Sequence, residues 1–350
     1  MDELHPLSEL THTVEQALGS RLPADQNAAI LGATLRAVSG RGQAFLDQGI
    51  LDFNTLGILP DSQSLTAILQ PLGHEWQAWE AYAIAKRATE RLGHAEEQSQ
   101  QVGQQLLDRL SADLGYEVTV DNLNDYLTTQ EAGHPTWLPV FEQYQAWNRG
   151  LLQYLRDAQV LSPAAYDAIV AMNQSYIPFH RLMTAERPQA LGRGTTTGNV
   201  PRGIQRIRGS RRDIMSPLTV AVQQAYHLTA VAERAATGRA VIELIEALPE
   251  DERAGWGVRY RRAARPRTFA LREIQERLDE LGIAVPEDVA DELATIFRPD
   301  AAVLRDNVVS IWRGGQREYW HLHPDLAAAM LHLDRGTAPH WVNILLALPR

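Results

Sequence analysis

The sequence predicts a mainly α fold, a multi-helix body carrying one β-hairpin near its C-terminus. Three observations lead there. Through the first 175 residues, apolar side chains recur at spacings of three and four, in segments rich in Ala, Leu, Gln and Glu. A second helical pattern, the longest in the chain, runs over 217–247. Only 307–322, NVVSIWRGGQREYWHL, alternates with a period of two, and Gly314-Gly315 divides it into two runs.

In chain order, segment 25–47 sets Ala28, Ile30, Leu31, Leu35, Val38 and Phe45 on one broad helical face. Segment 74–92 does the same with Trp76, Trp79, Tyr82 and Ala83. Segment 96–114 begins with a Gln-rich, solvated turn and becomes apolar at Leu106, Leu107 and Leu110. Segment 136–160 has an aromatic inner face, with Pro139 in its first turn, where proline is tolerated. Ser162-Pro163 and Ser216-Pro217 each place a capping hydroxyl before a proline at the first helical position. Gly238 is expected to bend or divide the long helix. Thr268 is expected to cap a helix over 269–281, with another after Pro286 and one over 324–333. A lone hairpin is marginal in water, so 307–322 must pack on helices. The expected organisation is a helical block over 1–180, an Arg/Gly-rich loop over 181–215, and a long-helix block over 216–350.

Composition narrows the function classes. Of 350 residues 45% are hydrophobic, as in folded proteins. No apolar run is long enough to span a bilayer, and the acidic start MDELHPLSEL does not read as a signal peptide. The absence of cysteine removes disulfides, thiol nucleophiles and sulfur-ligated zinc. GRGTTTG at 192–198 has neither the glycine spacing nor the preceding strand of a dinucleotide loop, and the sole lysine, Lys86, follows an alanine rather than a Walker glycine. There is no Gly-x-Ser-x-Gly elbow and no His-Glu-x-x-His helix. No cofactor is expected, and the chain reads as non-enzymatic. The enzymatic alternative places a site between the two helical blocks, with His180, His321 and His323 as candidates.

Charge is the most uneven property. Net charge is −10, yet residues 187–212 (RPQALGRGTTTGNVPRGIQRIRGSRR) hold seven arginines and no acid. So many glycines and prolines exclude one continuous helix or strand. Residues 253–272 hold seven more arginines, again without an acid, interleaved with Trp256, Tyr260 and Phe269. Arginines among aromatics suit phosphate contact and base stacking. They equally suit pairing with the acids of the same chain or a neighbouring subunit. Both readings stand at this point. On the first, Arg193, Arg202, Arg206, Arg208, Arg211 and Arg212, with Arg259, Arg261 and Arg262, meet DNA or an acidic protein surface.

LSPAAYDAIVAMNQSYIPFHRLM, with Tyr176-Ile177-Pro178-Phe179-His180-Arg181, resembles a segment of bacteriophage large polyvalent proteins. Gly209-Ser210, Pro217-Leu218, Ala232-Glu233-Arg234 and Gly238-Arg239 resemble that family's long-helix region, and NVVSIWRGGQREYWHL its hairpin. HPL at 5–7, AFLDQG at 44–49 and the run AYAIAKRA agree with it. The resemblance implies an internal module of a virion-delivered protein, located in the virion or the host cytoplasm, assembling with copies of itself or other virion proteins. It transfers no catalytic residue.

Overall fold

The computed structural model describes residues 4–24, 26–35, 38–95, 97–177, 217–260 and 307–335. The helices expected over 269–281 and after Pro286 lie outside these residues.

The fold is mainly α. The N-terminal part comprises α1 (His5–Leu18), α2 (Ala28–Leu35), α3 (Val38–Asp47), α4 (Leu65–Leu69), a 3-10 turn (Gln70–Glu75), α5 (Trp76–Gly93), α6 (Glu97–Leu114), α7 (Val120–Gly133), α8 (Trp137–Asp157) and α9 (Pro163–Met172). The C-terminal part comprises α10 (Pro217–Ala247), α11 (Glu250–Trp256), β1 (Gly257–Arg259), β2 (Val308–Arg313), β3 (Gln316–Leu322) and α12 (Pro324–Arg335).

Local chemistry sets the boundaries. The Ser162 hydroxyl accepts from the Ala165 amide at 3.1 Å and starts α9. Thr119 and Asn122 form a reciprocal capping box at the start of α7. Segment 25–47 is divided between α2 and α3, and Ile30, expected on the inner face, is 46% exposed. Trp76 is also solvent-facing, because α5 begins there, after the turn that Pro71 and Gly73 impose.

Two apolar cores result. The larger gathers α3 to α9 around α8, whose buried Trp137, Phe141, Tyr144, Trp147, Leu151 and Tyr154 recur every three or four residues. Phe45 stands edge-on to Trp147 and Tyr154 at 6.5 and 5.5 Å between ring centroids. The Trp147 indole donates to the Phe45 carbonyl at 2.8 Å, so α3 is fixed to α8 by both packing and a hydrogen bond. The smaller core joins α1 to the β-sheet, α12 and the C-terminal half of α10, through Leu7, Leu10, Val241, Ile245, Ile311, Trp320 and Leu326. The N-terminal half of α10 lies in the larger core through Ala221, Ala225 and Ala232. This helix is therefore the spine common to both, which explains why its buried residues are spread over nearly every side.

Two expectations are corrected. Gly238 does not divide α10, which is continuous over 31 residues. It is instead the point where strand β2 touches the helix: a Cβ there would stand 3.0 Å from Ile311 Cγ2. The hairpin is not alone either. β1 pairs antiparallel with β3, giving a three-stranded sheet of order β1-β3-β2 with Val258 opposite His321 and Val309 opposite Trp320. The turn itself is as expected, since Gly314 and Gly315 have φ of 58° and 79°, the sign that a two-residue hairpin turn requires.

Candidate functional site

The chain on either side of residues 178–216 is held by carboxylates of one helix. On the approach, Glu90 of α5 accepts from the Gln174 and Ser175 amides at 2.6 and 3.1 Å. Glu90 also pairs with Arg87, whose other arm donates to Asn173 Oδ1 at 2.7 Å. Arg87 is fully buried, and burial pulls its pKa down to about 10 against the opposing pull of Glu90. It thus remains a cation at neutral pH. The Tyr176 carbonyl accepts from Gln145 at 2.9 Å, its ring faces Arg87, and Ile177 is completely buried. On the return, the Leu218 amide at the start of α10 donates to Glu80 Oε1 at 3.0 Å. Glu80 and Glu90 are ten residues apart on α5, about 15 Å along its axis. The chain is thus fixed to the larger core at Gln174–Ile177 and again at Leu218.

The sequence-derived candidates fall in different places. Arg193, Arg202, Arg206, Arg208, Arg211, Arg212, Arg261, Arg262 and His180 lie outside the described residues. Arg259 is on β1, 59% exposed, and pairs with Glu318 across the sheet at 3.0 Å. Arg253, in the same basic stretch, donates to the Glu246 and Leu248 carbonyls at 2.6 and 3.0 Å and so caps the end of α10. His321 is exposed on β3. His323 follows that strand, and its Nδ1 accepts from the Asp325 amide at the head of α12. Neither lines a cleft between helices. Among the described residues no group of three or more His, Asp or Glu side chains could hold a metal ion.

Reading the sequence did not anticipate a buried polar junction where the two cores meet. Arg41 of α3 and Glu233 of α10 form an ion pair, and the Tyr154 hydroxyl of α8 donates to the same carboxylate while accepting from Arg41 at 3.2 Å. Burial lowers the Arg41 pKa and pushes the Tyr154 phenol up to about 12. One and a half turns along α10, Arg239 donates to the Ala158 carbonyl just past the end of α8. The hairpin tip reaches the same place, with the Gly315 amide donating to the Gln159 carbonyl at 3.1 Å. Every group here is used in joining α3, α8, α10 and the sheet, so the junction is an interlock and has no open face for a substrate. The polar series Thr229, Glu233, Thr237 at helical spacing marks one face of α10 but does not disclose its partners.

A small cleft of about 50 Å³ opens between α8, α9 and α10, beside Tyr176. Leu152, Val170 and Leu228 are its half-buried walls, and Gln224 donates to the Tyr176 hydroxyl at 2.9 Å along one side. Arg149 is the single charged side chain of the lining.

No family model, curated protein or solved structure matches the chain.

Proposed function

We propose that the protein is a non-enzymatic structural module of a phage or prophage virion-associated protein, contacting DNA or an acidic partner through residues 187–212. One observation carries this reading: the described body is acidic and engages most of its own positive charge, while seven arginines without an acid are gathered in 187–212. The described residues contain 27 acids and 15 bases. At least seven of those bases form ion pairs within the fold: Arg41, Lys86, Arg87, Arg109, Arg156, Arg259 and Arg313. Arg239 and Arg253 bind backbone carbonyls. On a body of net −12 an outside polyanion is repelled, so the +7 segment is the part of the chain that would attract one.

The resemblance to polyvalent phage proteins supports the structural half of the proposal. Its residues occupy positions the fold depends on. Pro217-Leu218 starts α10, Glu233 forms the interlock, Gly238 admits the sheet, Arg313 pairs with Glu246 at 3.0 Å, and Phe45 of AFLDQG supports α8. Such residues bear on architecture and assign no chemistry.

The test is DNA binding by the chain in which Arg193, Arg202, Arg206, Arg208, Arg211 and Arg212 are replaced by Ser, followed by fluorescence anisotropy on a duplex of arbitrary sequence. Binding should weaken at low salt, and the slope of log K against log salt should shrink by up to about five. Equal affinity and slope for both chains would remove the segment from the reading. Mass measurements across salt concentrations detect the acidic-partner form, in which copies associate at low salt and separate at high salt.

A further inference from the structure

The cleft between α8, α9 and α10 has a chemistry of its own, independent of the arginine run. Its walls are aliphatic: Leu151, Leu155, Leu161 and Ile169 at the base, Leu152, Val170 and Leu228 toward solvent. The polar atoms at its edge are already engaged, since Gln145 donates to the Tyr176 carbonyl and Gln224 to the Tyr176 hydroxyl. An occupant therefore needs no hydrogen-bonding group in its interior part, and one carried inside would be left unsatisfied. Arg149 is exposed, sits one turn from Gln145 and Leu152 on the same helix, and forms no ion pair among the described residues. The opening thus combines an apolar interior with one available cation and no carboxylate in the lining. With about 50 Å³ free, the interior admits the end of a short alkyl group, the rest lying along the half-buried walls, and not a long lipid tail.

We propose that this cleft binds a short-chain amphiphilic carboxylate, its alkyl part among Leu152, Val170 and Leu228 and its carboxylate at Arg149. Charge complementarity selects the anion: an alcohol of the same length fills the walls equally well and gains nothing from the guanidinium.

Methyl-resolved NMR of the whole chain, titrated separately with hexanoate and 1-hexanol, tests this. Hexanoate should shift the methyl signals of Leu152, Val170 and Leu228 saturably, and Arg149→Gln, a surface change that leaves the fold intact, should weaken it about two- to fivefold. That loss should shrink in high salt, and hexanol binding should not respond to Arg149→Gln at all. Leu228→Trp, or Val170→Trp if the first variant loses its helical signal, should abolish binding of both by filling the space. The proposal is overturned if neither compound gives a saturable shift at these methyls, or if Arg149→Gln leaves hexanoate affinity unchanged. Retained hexanoate binding in the tryptophan variants would also overturn it, by placing the site elsewhere.

Discussion

The two cores are built by opposite routes. The larger takes most of its residues from one continuous stretch, α3 to α9, gathered around the aromatic face of α8 and completed by the N-terminal half of α10. The smaller brings together α1, at residues 5–18, and strands at 308–322, so its contacts close nearly the whole chain. Local contacts form with little loop-closure entropy, whereas contacts of this separation require the rest of the structure first. The long helix α10 belongs to both, and the Arg41–Glu233–Tyr154 interlock sits at its change of allegiance. The difference suggests a first core that forms alone and a second that depends on it.

The strongest test of that dependence is the interlock. Glu233→Ala leaves the Arg41 guanidinium buried beside a phenol and without its carboxylate, which should cost about 3–5 kcal/mol of unfolding free energy in denaturant titration. Adding Arg41→Met should recover part of the loss, because the buried charge goes with it. A single-variant loss below about 1 kcal/mol would mean that water replaces the carboxylate and that the cores are joined by packing alone.

Leu7→Ala examines the smaller core by itself. Leu7 is fully buried in α1 against the sheet side of the molecule, and its truncation should cost about 2–5 kcal/mol. Native-state hydrogen exchange distinguishes the two outcomes. If the smaller core is the dependent one, protection should fall in α1, β2, β3 and α12 and persist in α5 and α8. Equal loss in α8 would show a single cooperative unit and dissolve the contrast.

Alkali strikes the junction through Tyr154. Its folded pKa, about 12, exceeds the ordinary phenol value near 10. The folded state then binds the proton more tightly than the unfolded one, so the contribution is intact below pH 10 and is lost as pH rises through 12. Two units correspond to about 2–3 kcal/mol. Stability measured between pH 9 and 12 should fall less steeply in Tyr154→Phe than in the parent chain. An unchanged slope would place the alkaline loss at other groups, such as the buried Tyr144, whose phenol is also raised.

The same contrast explains what the sequence disclosed. Helices of the larger core were legible because burial imposes a repeat of three and four, as in Phe141, Tyr144 and Trp147, and because Ser162-Pro163 marks a boundary locally. The hairpin was legible from Gly314-Gly315. Strand β1 was not: three residues, Gly257-Val258-Arg259, are too few to display a period, and its arginine drew attention as a ligand for polyanions. The interlock was illegible for another reason. Arg41, Tyr154 and Glu233 lie 79 and more residues apart, and only the tertiary arrangement reveals that they meet. Nor does any local pattern foretell that Glu90 and Glu80 hold the chain at Gln174–Ser175 and at Leu218, since a helical surface carboxylate looks the same whether it caps a distant amide or faces water.

The smallest effect concerns Arg259, the described member of the predicted polyanion-binding set. Its pair with Glu318 is at 3.0 Å, but the guanidinium is mostly exposed, so Glu318→Gln should change stability by less than about 1 kcal/mol. Its consequence for charge is larger in kind. With Glu318 neutral, Arg259 has no carboxylate opposite it on the sheet and becomes available to an outside anion. If Arg259 belongs to the DNA-contacting surface, Glu318→Gln should tighten binding a few-fold at low salt and steepen the salt slope by about one. Should affinity and slope stay at the parent values, Arg259 is a cross-strand partner of the smaller core and nothing more, and the proposed contact surface narrows to the arginines of 187–212.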